Sequence, residues 1–303
     1  MKAVIQTKKS GPPEILQLRE IEKPVPKDNE VLIRIYAASV TKGDVLFRDL
    51  SFIFRLLFPI FGFKMKKIPG HELAGDVEEV GKDVTLFKKG DQVFGTTSGL
   101  STGSCAEYIC LSEKPKKGVL ALKPINMSFG EAATVPIGGL TALDIISKAN
   151  IQKGQKVLIY GASGSVGTYA VQLAKYFGAE VTGVCSTSNL ELVKSLGADK
   201  VIDYTKEDFT EKGQVYDVVF DAVRKLSKSH GKEALKKEGI YLSASDSTHE
   251  TNEKLIFLKE LIEAGKLKAV IDKHYPFDKI VEAHRYVDQR HKKGNVVITL
   301  DHN

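Results

Sequence analysis

A strand, a glycine-rich turn and a helix follow one another directly in Lys156–Gly178, KVLIYGASGSVGTYAVQLAKYFG. The first five residues form a short apolar run that is typical of a buried parallel strand. The turn fits the dinucleotide-binding pattern Gly-x-Gly-x-x-Gly, with Ala162 in place of the first glycine. In that pattern Gly164 lets the backbone approach a pyrophosphate, and Gly167 lets the helix pack closely on the strand. The segment therefore predicts a phosphate-binding turn that opens a helix.

The chain after this turn continues to alternate between strand and helix patterns. Strands are predicted at Glu180–Cys185, Lys200–Asp203 and Val215–Asp221, and a helix is predicted at Leu190–Leu196. This β-α-β-α-β order is typical of one mononucleotide-binding half of a Rossmann fold, an α/β class with a doubly wound parallel sheet. An α/β domain that binds no nucleotide is the alternative, because glycine also serves ordinary turns.

The N-terminal part of the chain has a different pattern, in which strands follow one another without helices between them. We therefore predict a β-rich domain over residues 1–123, completed by residues 268–303, and a second domain over residues 124–267. Two helices are predicted within Asn126–Ala149, the first capped by Ser128 and Glu131. The other predicted elements are a glycine-spaced turn that leads into a strand within Ile68–Gly81, strands at Met1–Gln6, Leu16–Ile21, Glu30–Ala37, Asp91–Gly95, Ala106–Leu111, Gly239–Ser243, Lys268–Asp272 and Gly294–Leu300, and helices at Lys232–Lys237, Glu253–Ala264 and Phe277–Arg290.

The composition is that of an ordinary globular protein and argues against several functional classes. The net charge of +6 is modest and the lysine-rich spots are scattered, which favours a solvated surface over a nucleic-acid interface. The three cysteines lack Cys-x-x-Cys spacing, so the sequence predicts no disulfide framework and no zinc cluster. The N-terminus begins as a strand rather than as a signal peptide, and no apolar run reaches the ~18 residues of a membrane span. We therefore expect a cytoplasmic protein with reduced thiols.

The segment Val45–Lys67 is rich in phenylalanine and follows directly on the polar turn Ser39–Asp44. It holds six of the chain's fourteen phenylalanines, and Pro59 and Gly62 interrupt any long helix. Three interpretations are open: a packed core segment, an apolar wall of a substrate pocket, and a patch that contacts a membrane surface. Our prediction is the second, a mobile flap on the substrate cleft whose substrate-binding residues include Phe47, Phe52 and Phe54.

Several short motifs occur in one order along nearly the whole chain, namely PGHELAG (Pro69–Gly75), VEEVG, GDQVFG, AEY, PIGGLTA, ASGSVG, LGADKVIDY (Leu196–Tyr204) and KGNVVI. Together these motifs resemble the medium-chain dehydrogenase/reductase superfamily, and within it the branch of zinc-independent NADPH:quinone oxidoreductases. The resemblance implies a GroES-like, partly open β-barrel domain beside the Rossmann domain, with the active site in a cleft.

The resemblance also bears on metal binding. A zinc-dependent member of the superfamily would carry a cysteine near Thr41, a histidine at the position of His71 and a third ligand near Ile137–Gly138. Only the histidine is present here, whereas a catalytic zinc ion takes three protein ligands. We therefore expect no bound metal. His71 is then either a structural hydrogen-bonding residue of its turn or a polar residue on the substrate side.

Without zinc, hydrogen bonds must polarise the carbonyl group of the substrate, or the substrate must need little help. Quinones and enones meet the second condition, because their reduced forms are delocalised oxyanions. The resemblance places Thr41, Lys42 and Thr141 at catalytic positions. Lys42 either stabilises developing negative charge or is an ordinary surface lysine. No side chain stands out as a general acid, so we expect solvent to protonate the product.

NADPH is predicted to be preferred over NADH. An NAD site usually carries Asp or Glu after the second strand, whereas Cys185–Asn189 offers small hydroxyls, an amide and no carboxylate. The resemblance adds Tyr204 as a residue that lines the 2′-phosphate, although a strong Arg or Lys clamp is missing. The predicted cofactor-binding residues are Ser163, Gly164, Ser165, Val166, Gly167, Ser186, Thr187, Ser188, Asn189, Tyr204, Ala222, Val223 and Asn295.

These features predict a zinc-independent, NADPH-dependent oxidoreductase that reduces a quinone, an enone or a related apolar carbonyl compound. The alternatives are a zinc-type alcohol dehydrogenase and an NADPH-binding protein without catalysis, for example at a membrane surface. The predicted partners are a small apolar substrate and no nucleic acid, with at most a weak membrane-surface contact. The family usually has a further strand-forming segment where this chain has only the short polar Ala244–Asn252, so we expect a monomer or a homodimer built on a non-standard face.

Overall fold

The computed structural model describes residues 1–49, 67–211 and 215–302, and the elements named here are those of this part of the chain. The α-helices are α1 (Lys42–Arg48), α2 (Phe129–Ala132), α3 (Pro136–Ser147), α4 (Ser165–Tyr176), α5 (Leu190–Ser195), α6 (Lys228–Glu233), α7 (Asn252–Glu263) and α8 (Ile280–Asp288). The strands are β1 (Lys2–Gln6), β2 (Leu16–Glu20), β3 (Glu30–Ser39), β4 (Glu72–Val80), β5 (Gln92–Thr96), β6 (Tyr108–Ser112), β7 (Val119–Leu122), β8 (Lys156–Tyr160), β9 (Glu180–Cys185), β10 (Lys200–Asp203), β11 (Tyr216–Asp221), β12 (Leu235–Ser243), β13 (Ile271–Pro276) and β14 (Asn295–Thr299). Short 3-10 helices occur at Pro13–Ile15, Thr187–Asn189 and Phe277–Lys279.

The chain divides into two compact units. Unit 1 comprises Met1–Pro136, Thr251–Lys259 and Ile271–Asn303. Unit 2 comprises Ile137–Glu250 and Glu260–Val270. Compared with the domain boundaries that we expected, the segments 124–136 and 251–259 therefore lie with unit 1.

Unit 1 is the β-rich domain that the sequence predicts. Its seven-stranded sheet has the order β13-β14-β3-β4-β5-β7, and β6 also pairs with β3. The long central strand β3 pairs with β14, β4 and β6, all antiparallel. Val31, Ile33 and Ile35 are two residues apart along β3 and therefore lie on the same face of the sheet. All three are fully buried. Strands β1 and β2 form a separate antiparallel pair.

Unit 2 is a doubly wound α/β domain, as predicted. Its five parallel strands have the order β10-β9-β8-β11-β12. Val157, Leu158 and Ile159 of the central strand β8 are fully buried, as a strand covered on both faces requires. The strand order reverses between β8 and β11. In such sheets ligands bind beyond the carboxyl ends of the strands at this point, which is where the glycine turn begins.

Several elements have the predicted bounds. The strands Lys156–Tyr160, Glu180–Cys185 and Lys200–Asp203 agree with the structure at both ends. The capping box of α2 is also confirmed: the Glu131 N–H donates to Ser128 Oγ at 3.2 Å, and the Ser128 N–H donates to the Glu131 carboxylate at 2.9 Å. The strand bounds and the capping box could be predicted because the residues that determine each of them lie within a few positions of one another in the sequence.

Other elements differ from the prediction. The helix expected at Lys232–Lys237 is wrong from Ala234 onward, because α6 ends at Glu233 and Leu235 begins β12. Leu235 is buried and pairs with Tyr216 of β11, so a distant strand decides the conformation against the local helical pattern. The polar turn expected at Ser39–Asp44 contains the start of α1. Strand β7 was not predicted, and β13 begins three residues later than expected.

Strand β12 lies at an edge of the unit 2 sheet. No strand within the described ranges pairs with its outer side. Lys236, Lys237 and Glu238 on this strand are exposed, and such charges discourage pairing with another edge. The oligomeric state of the protein stays a prediction.

The cysteines are free. Cys105 and Cys185 are buried, and Cys110 of β6 is partly buried. Burial raises the pKa of Cys185 to about 11, and burial together with the nearby Glu30 and Glu79 raises the pKa of Cys110 to about 11. Over the residues that the structure describes, no helix is both long enough and apolar enough to cross a bilayer.

Candidate functional site

Two glycines of the turn after β8 are required by the packing of the chain itself. Gly161 has a φ of +78°, and a Cβ there would lie 2.4 Å from a methyl carbon of Val223. A Cβ on Gly167 would lie 2.1 Å from the carbonyl oxygen of Gly161, which is much closer than real Cβ contacts. Gly167 therefore lets α4 approach the turn, as the sequence predicts.

Gly164 is a glycine for a different reason. Its φ of −81° and ψ of 176° suit any residue, and a Cβ would meet nothing closer than 3.5 Å. The packing of the protein therefore does not exclude a side chain here. Gly164 is the N-cap residue of α4, and no side chain caps this helix end. The arrangement fits a pyrophosphate, which the N–H groups and the positive end of a helix bind and which a Cβ would obstruct.

Asn189 joins the glycine turn to the loop after β9. Its amide nitrogen donates to Ser163 Oγ at 3.0 Å and to Ser186 Oγ at 3.2 Å. Asn189 is buried, whereas Thr187 and Ser188 are exposed. Asn189 thus holds together the glycine turn and the loop after β9, both of which are predicted to bind the cofactor. The exposed hydroxyls of Thr187 and Ser188 can reach a ligand.

The expected absence of a carboxylate near this loop needs a correction. Asp203, the last residue of β10, accepts hydrogen bonds from the hydroxyls of Thr187 and Thr205. The hydrogen bond from Thr187, followed by that from Thr205, lowers the pKa of Asp203 to about 2. The ammonium of Lys206 lies 3.6 Å from the same carboxylate and balances its charge. Lys206 was not predicted, although this lysine follows Tyr204 by only two residues.

The predicted role of Tyr204 at the 2′-phosphate requires an accessible side chain, and the structure provides one. Tyr204 directly follows Asp203, it is 55% exposed, and its ring centroid lies 6.5 Å from that of Tyr160. Its phenol has no hydrogen-bond partner within the described ranges, so the hydroxyl is available to a ligand. The structure therefore brings Tyr204 to the loop of Thr187, through the bond between Thr187 and Asp203.

Ala222 and Val223 begin the loop after β11. The Val223 N–H donates to the Asp221 carboxylate at 3.0 Å, and the Val223 side chain covers Gly161 of the glycine turn. The next residue, Arg224, has a φ of 58°, which is rare for a residue other than glycine. Its Nε donates to the Ala244 carbonyl at 2.8 Å and so ties this loop to the one after β12. Nothing in the local sequence pattern indicated this link.

Thr141 lies on α3, which packs against the start of α4. A Cβ on Gly138 would lie 2.7 Å from Ser165 Oγ, so the glycine allows this close approach. Thr141 follows Gly138 by three residues and therefore lies on the same side of the helix. The structure thus brings Thr141, Ser163, Gly164 and Ser165 to the same part of unit 2. Val166 belongs to the first turn of α4 and shares this location.

In unit 1, the residues expected at the substrate site are arranged around a buried carboxylate. Thr41 and Asp44 form the capping box of α1. The Thr41 N–H and hydroxyl both donate to Asp44 Oδ2, at 2.8 and 2.6 Å, and His71 Nδ1 lies 2.6 Å from Asp44 Oδ1. Burial alone would raise the pKa of Asp44, but the charge of His71 and the hydrogen bonds from His71 and Thr41 hold it well below its usual range.

Phe47 and His71 lie side by side in unit 1, with ring centroids 5.2 Å apart. The His71 side chain is 14% exposed, and Lys42 at the start of α1 is exposed. Phe52 and Phe54 lie outside the described residues, so the flap stays a prediction. Asn295 is buried at the start of β14, in unit 1, and its role at the cofactor also stays a prediction.

A second buried cluster lies behind Asp44. Arg48 of α1 donates from Nη1 to His284 Nδ1 at 3.2 Å and from Nη2 to both carboxylate oxygens of Asp288. His284 is 1% exposed, and burial lowers its pKa to about 4. Arginine has no acceptor, so Nδ1 of His284 accepts and this histidine is neutral. The cluster ties α1 to α8 across most of the length of the chain.

Of the three positions at which a zinc-dependent relative would carry a ligand, only that of His71 has a metal-binding side chain here. Thr41 offers only a hydroxyl, which already donates a hydrogen bond to Asp44. The PIGG segment of Pro136–Gly139 has no side-chain ligand. Among the residues that the structure describes, no three His, Cys, Asp or Glu side chains are grouped so that they could hold a metal.

Comparison with known proteins agrees with this architecture. Residues 27–145 match the family described as the alcohol dehydrogenase GroES-like domain, and residues 165–264 and 243–298 match two families described as zinc-binding dehydrogenase. The chain is 37% identical to 2-methylene-furan-3-one reductase of Solanum lycopersicum, over 95% of this chain and 76% of that protein. It is 33% identical to the chloroplastic NADPH-dependent alkenal/one oxidoreductase of Arabidopsis thaliana, over 95% and 77% of the two chains.

Solved structures agree as well. The quinone oxidoreductase of Coxiella burnetii superposes with a TM-score of 0.83 at 28% sequence identity, over 99% of both chains. Most of the GroES-like match falls on the β-rich unit, and the zinc-binding dehydrogenase match over residues 165–264 begins with α4, directly after the glycine turn, and includes β9 to β12 of the parallel sheet. The fold and the resemblance are thereby confirmed. The chain belongs to the medium-chain dehydrogenase/reductase superfamily, in its quinone oxidoreductase-like branch.

Proposed function

We propose that this protein is an NADPH-dependent oxidoreductase that reduces an enone, a quinone or a related apolar carbonyl compound without zinc. The observation that carries the proposal is the combination of an intact phosphate-binding turn at Gly164 with a substrate side where, of the three expected zinc-ligand positions, only His71 has a ligand side chain. The names of the relatives support the substrate class, since they describe reductases of a methylene-furanone, of alkenals and alkenones, and of quinones.

Bound NADPH would supply the hydride, and the residues of unit 2 would hold and orient it. The uncapped N-terminus of α4 would bind the pyrophosphate, for which Gly164 leaves room. The hydroxyls of Ser186 and Ser188, with Tyr204 and Lys206, would bind the 2′-phosphate. The Asp203 carboxylate accepts hydrogen bonds from Thr187 and Thr205, and these bonds occupy oxygen atoms that could otherwise accept from a ribose hydroxyl.

Residues of unit 1 would contact the substrate. Phe47 provides an apolar surface, and Thr41, Lys42 and His71 provide polar groups around the buried Asp44. Conjugated carbonyl compounds suit such a site, because the negative charge that follows hydride transfer is delocalised and needs no metal ion. We further propose that the protein acts in the cytoplasm and that it is a monomer or a homodimer that does not use the β12 edge.

The test is a substrate panel with purified protein. Oxidation of NADPH is followed at increasing concentrations of several enones and quinones, with an unconjugated ketone and a primary alcohol as comparison substrates. We expect turnover with the conjugated carbonyl compounds only, and unchanged activity after treatment with a chelator. Alcohol oxidation that depends on bound zinc would favour the alcohol dehydrogenase alternative. Tight NADPH binding without turnover of any substrate would favour the non-catalytic alternative.

A further inference from the structure

The hydrogen bonds of Asp44 fix the orientation of one imidazole ring. Asp44 is 3% exposed, and its Oδ2 is held by the backbone N–H and the hydroxyl of Thr41. Only Oδ1 is left for His71, whose Nδ1 lies 2.6 Å away. Because ionised Asp44 can only accept, Nδ1 of His71 carries the proton in this bond. The proton that His71 can gain or lose is therefore the one on Nε2.

The other side of the imidazole ring suits a substrate. Within residues 1–49, 67–211 and 215–302, Nε2 of His71 has no hydrogen-bond partner. The side chain keeps 14% of its surface exposed, which is enough for one nitrogen to reach a ligand or water. The Phe47 ring beside it provides the apolar contact that a conjugated carbonyl compound needs. Nε2 of His71 is thus a polar group of fixed orientation beside the apolar ring of Phe47, although the sequence indicated no general acid.

We propose that His71 is the proton donor in the reduction of enones and that Asp44 is its positioning residue. The inference rests on the proposed function. Asp44 holds the ring of His71 through Nδ1, as a carboxylate partner does in general acid catalysis, so that Nε2 can deliver the proton. The other titratable groups near this pair in the described part of the chain include His284, which is neutral, and Arg48, whose charge is balanced by Asp288.

The step balances in atoms and electrons. After hydride has added to the β-carbon of the enone, the electron pair of the former double bond is shared between the α-carbon and the carbonyl oxygen as an enolate. The Nε2–H bond of His71 breaks, and its proton forms a new C–H bond with the enolate electron pair at the α-carbon. His71 is left as a neutral imidazole that still donates from Nδ1 to Asp44, and water restores the proton on Nε2.

A quinone needs no such donor. Its reduced form carries the charge on oxygen atoms, which water protonates rapidly. The proposal therefore predicts that the two substrate types respond differently to one substitution. This difference gives the test an internal control for folding and for binding of NADPH.

The experiment compares His71→Gln with His291→Gln, a matched change at an exposed histidine that has no partner in the described part of the chain. The substrate is an enone with a methyl group on the α-carbon, so that protonation creates a stereocentre. We expect wild-type protein and H291Q to give mainly one enantiomer. H71Q should lose at least about tenfold in enone turnover and give a nearly racemic product, while its quinone turnover falls by a clearly smaller factor.

A second variant, Asp44→Asn, tests the positioning role. The enone activity should fall less than in H71Q, and the enantiomeric excess of the product should fall with it, because the ring of His71 is no longer held in one orientation. Unchanged enone turnover with a single enantiomer in H71Q would overturn the proposal, and so would an equal loss of both activities. Wild-type protein that reduces neither substrate would overturn the proposed function as well.

Discussion

The glycine turn of unit 2 and the Asp44–His71 site of unit 1 are assembled in opposite ways. The turn, its strand and its helix lie within Lys156–Tyr176, so neighbouring residues make nearly all of the geometry. In the site of unit 1, Asp44 and His71 form a pair although they are 27 positions apart in the sequence. In the cluster behind it, Arg48 bonds a residue 236 positions away. The first region is encoded locally, and the second depends on the completed fold.

This difference explains what each region can tolerate. The glycine turn loses its structure when a single backbone contact is obstructed, because no other residue can replace the glycine at such a contact. The Asp44–His71 site depends on charges and hydrogen bonds that are satisfied only when two separate parts of the chain come together. The predictions below separate these two kinds of dependence, beginning with the largest effect.

Alanine at Gly167 should have the largest effect. Its Cβ would lie 2.1 Å from a backbone oxygen, so we expect a loss of more than about 3 kcal/mol in the free energy of unfolding, together with loss of NADPH binding. Gly164→Ala is the matched control, since its Cβ meets only ordinary contacts. It should change stability by less than about 0.5 kcal/mol and still weaken NADPH binding. Urea unfolding and coenzyme titration measure both quantities. Equal stability losses in the two variants would contradict the packing argument.

The buried His284 should make unit 1 sensitive to acid. The unfolded chain takes up a proton on this side chain near pH 6.5, but the folded protein does so only near pH 4. The unfolded state therefore binds more protons between these values, and stability is full above the upper value and is lost as the pH falls toward the lower one. We expect a loss of about 2 kcal/mol between pH ~7 and pH ~5.

Urea unfolding at several pH values measures this loss. His284→Asn keeps an acceptor for Arg48 but cannot titrate, so it should remove this part of the pH dependence. A pH dependence identical to that of wild type would show that His284 is not the group responsible.

Ser128→Ala tests a feature that is encoded locally although it lies in unit 1. The change removes one acceptor of the capping box of α2, and we expect unfolding free energy to fall by about 1 kcal/mol. Thermal unfolding of Ser128→Ala and of Ser128→Thr, which keeps the cap, gives the comparison. A Thr variant as unstable as the Ala variant would rule out the cap as the cause.

Lys206→Met should have the smallest effect. Lys206 pairs with Asp203, which in turn bonds Thr187, and the lysine is exposed, so solvent screens its charge. We expect the ratio of kcat/KM for NADPH to that for NADH to fall about threefold. Lys194→Met, at an exposed lysine of α5, is the control and should leave the ratio unchanged. A ratio that falls equally in both variants would point to overall charge rather than to the site.

How much the sequence predicts follows from these distances along the chain. The strand bounds of β8, β9 and β10, the glycine turn and the cap at Ser128 were predictable because each signal lies within a few residues. The Asp44–His71 pair, the Arg48–His284 cluster and the link from Arg224 to Ala244 were not, since separate segments must first fold together. Asp203 shows the same limit on a smaller scale, because its contact with Thr187 depends on the pairing of β9 with β10.

The state of the thiols has a consequence for a protein that handles conjugated carbonyl compounds. Such compounds are electrophiles that attach covalently to thiolates, while protonated thiols react far more slowly. With a pKa of about 11, Cys110 and Cys185 each hold a thiolate in about one molecule in ten thousand at neutral pH. Cys105 is enclosed in the core of unit 1. The interior of each unit thus shields the protein from alkylation by the compounds that it is proposed to consume.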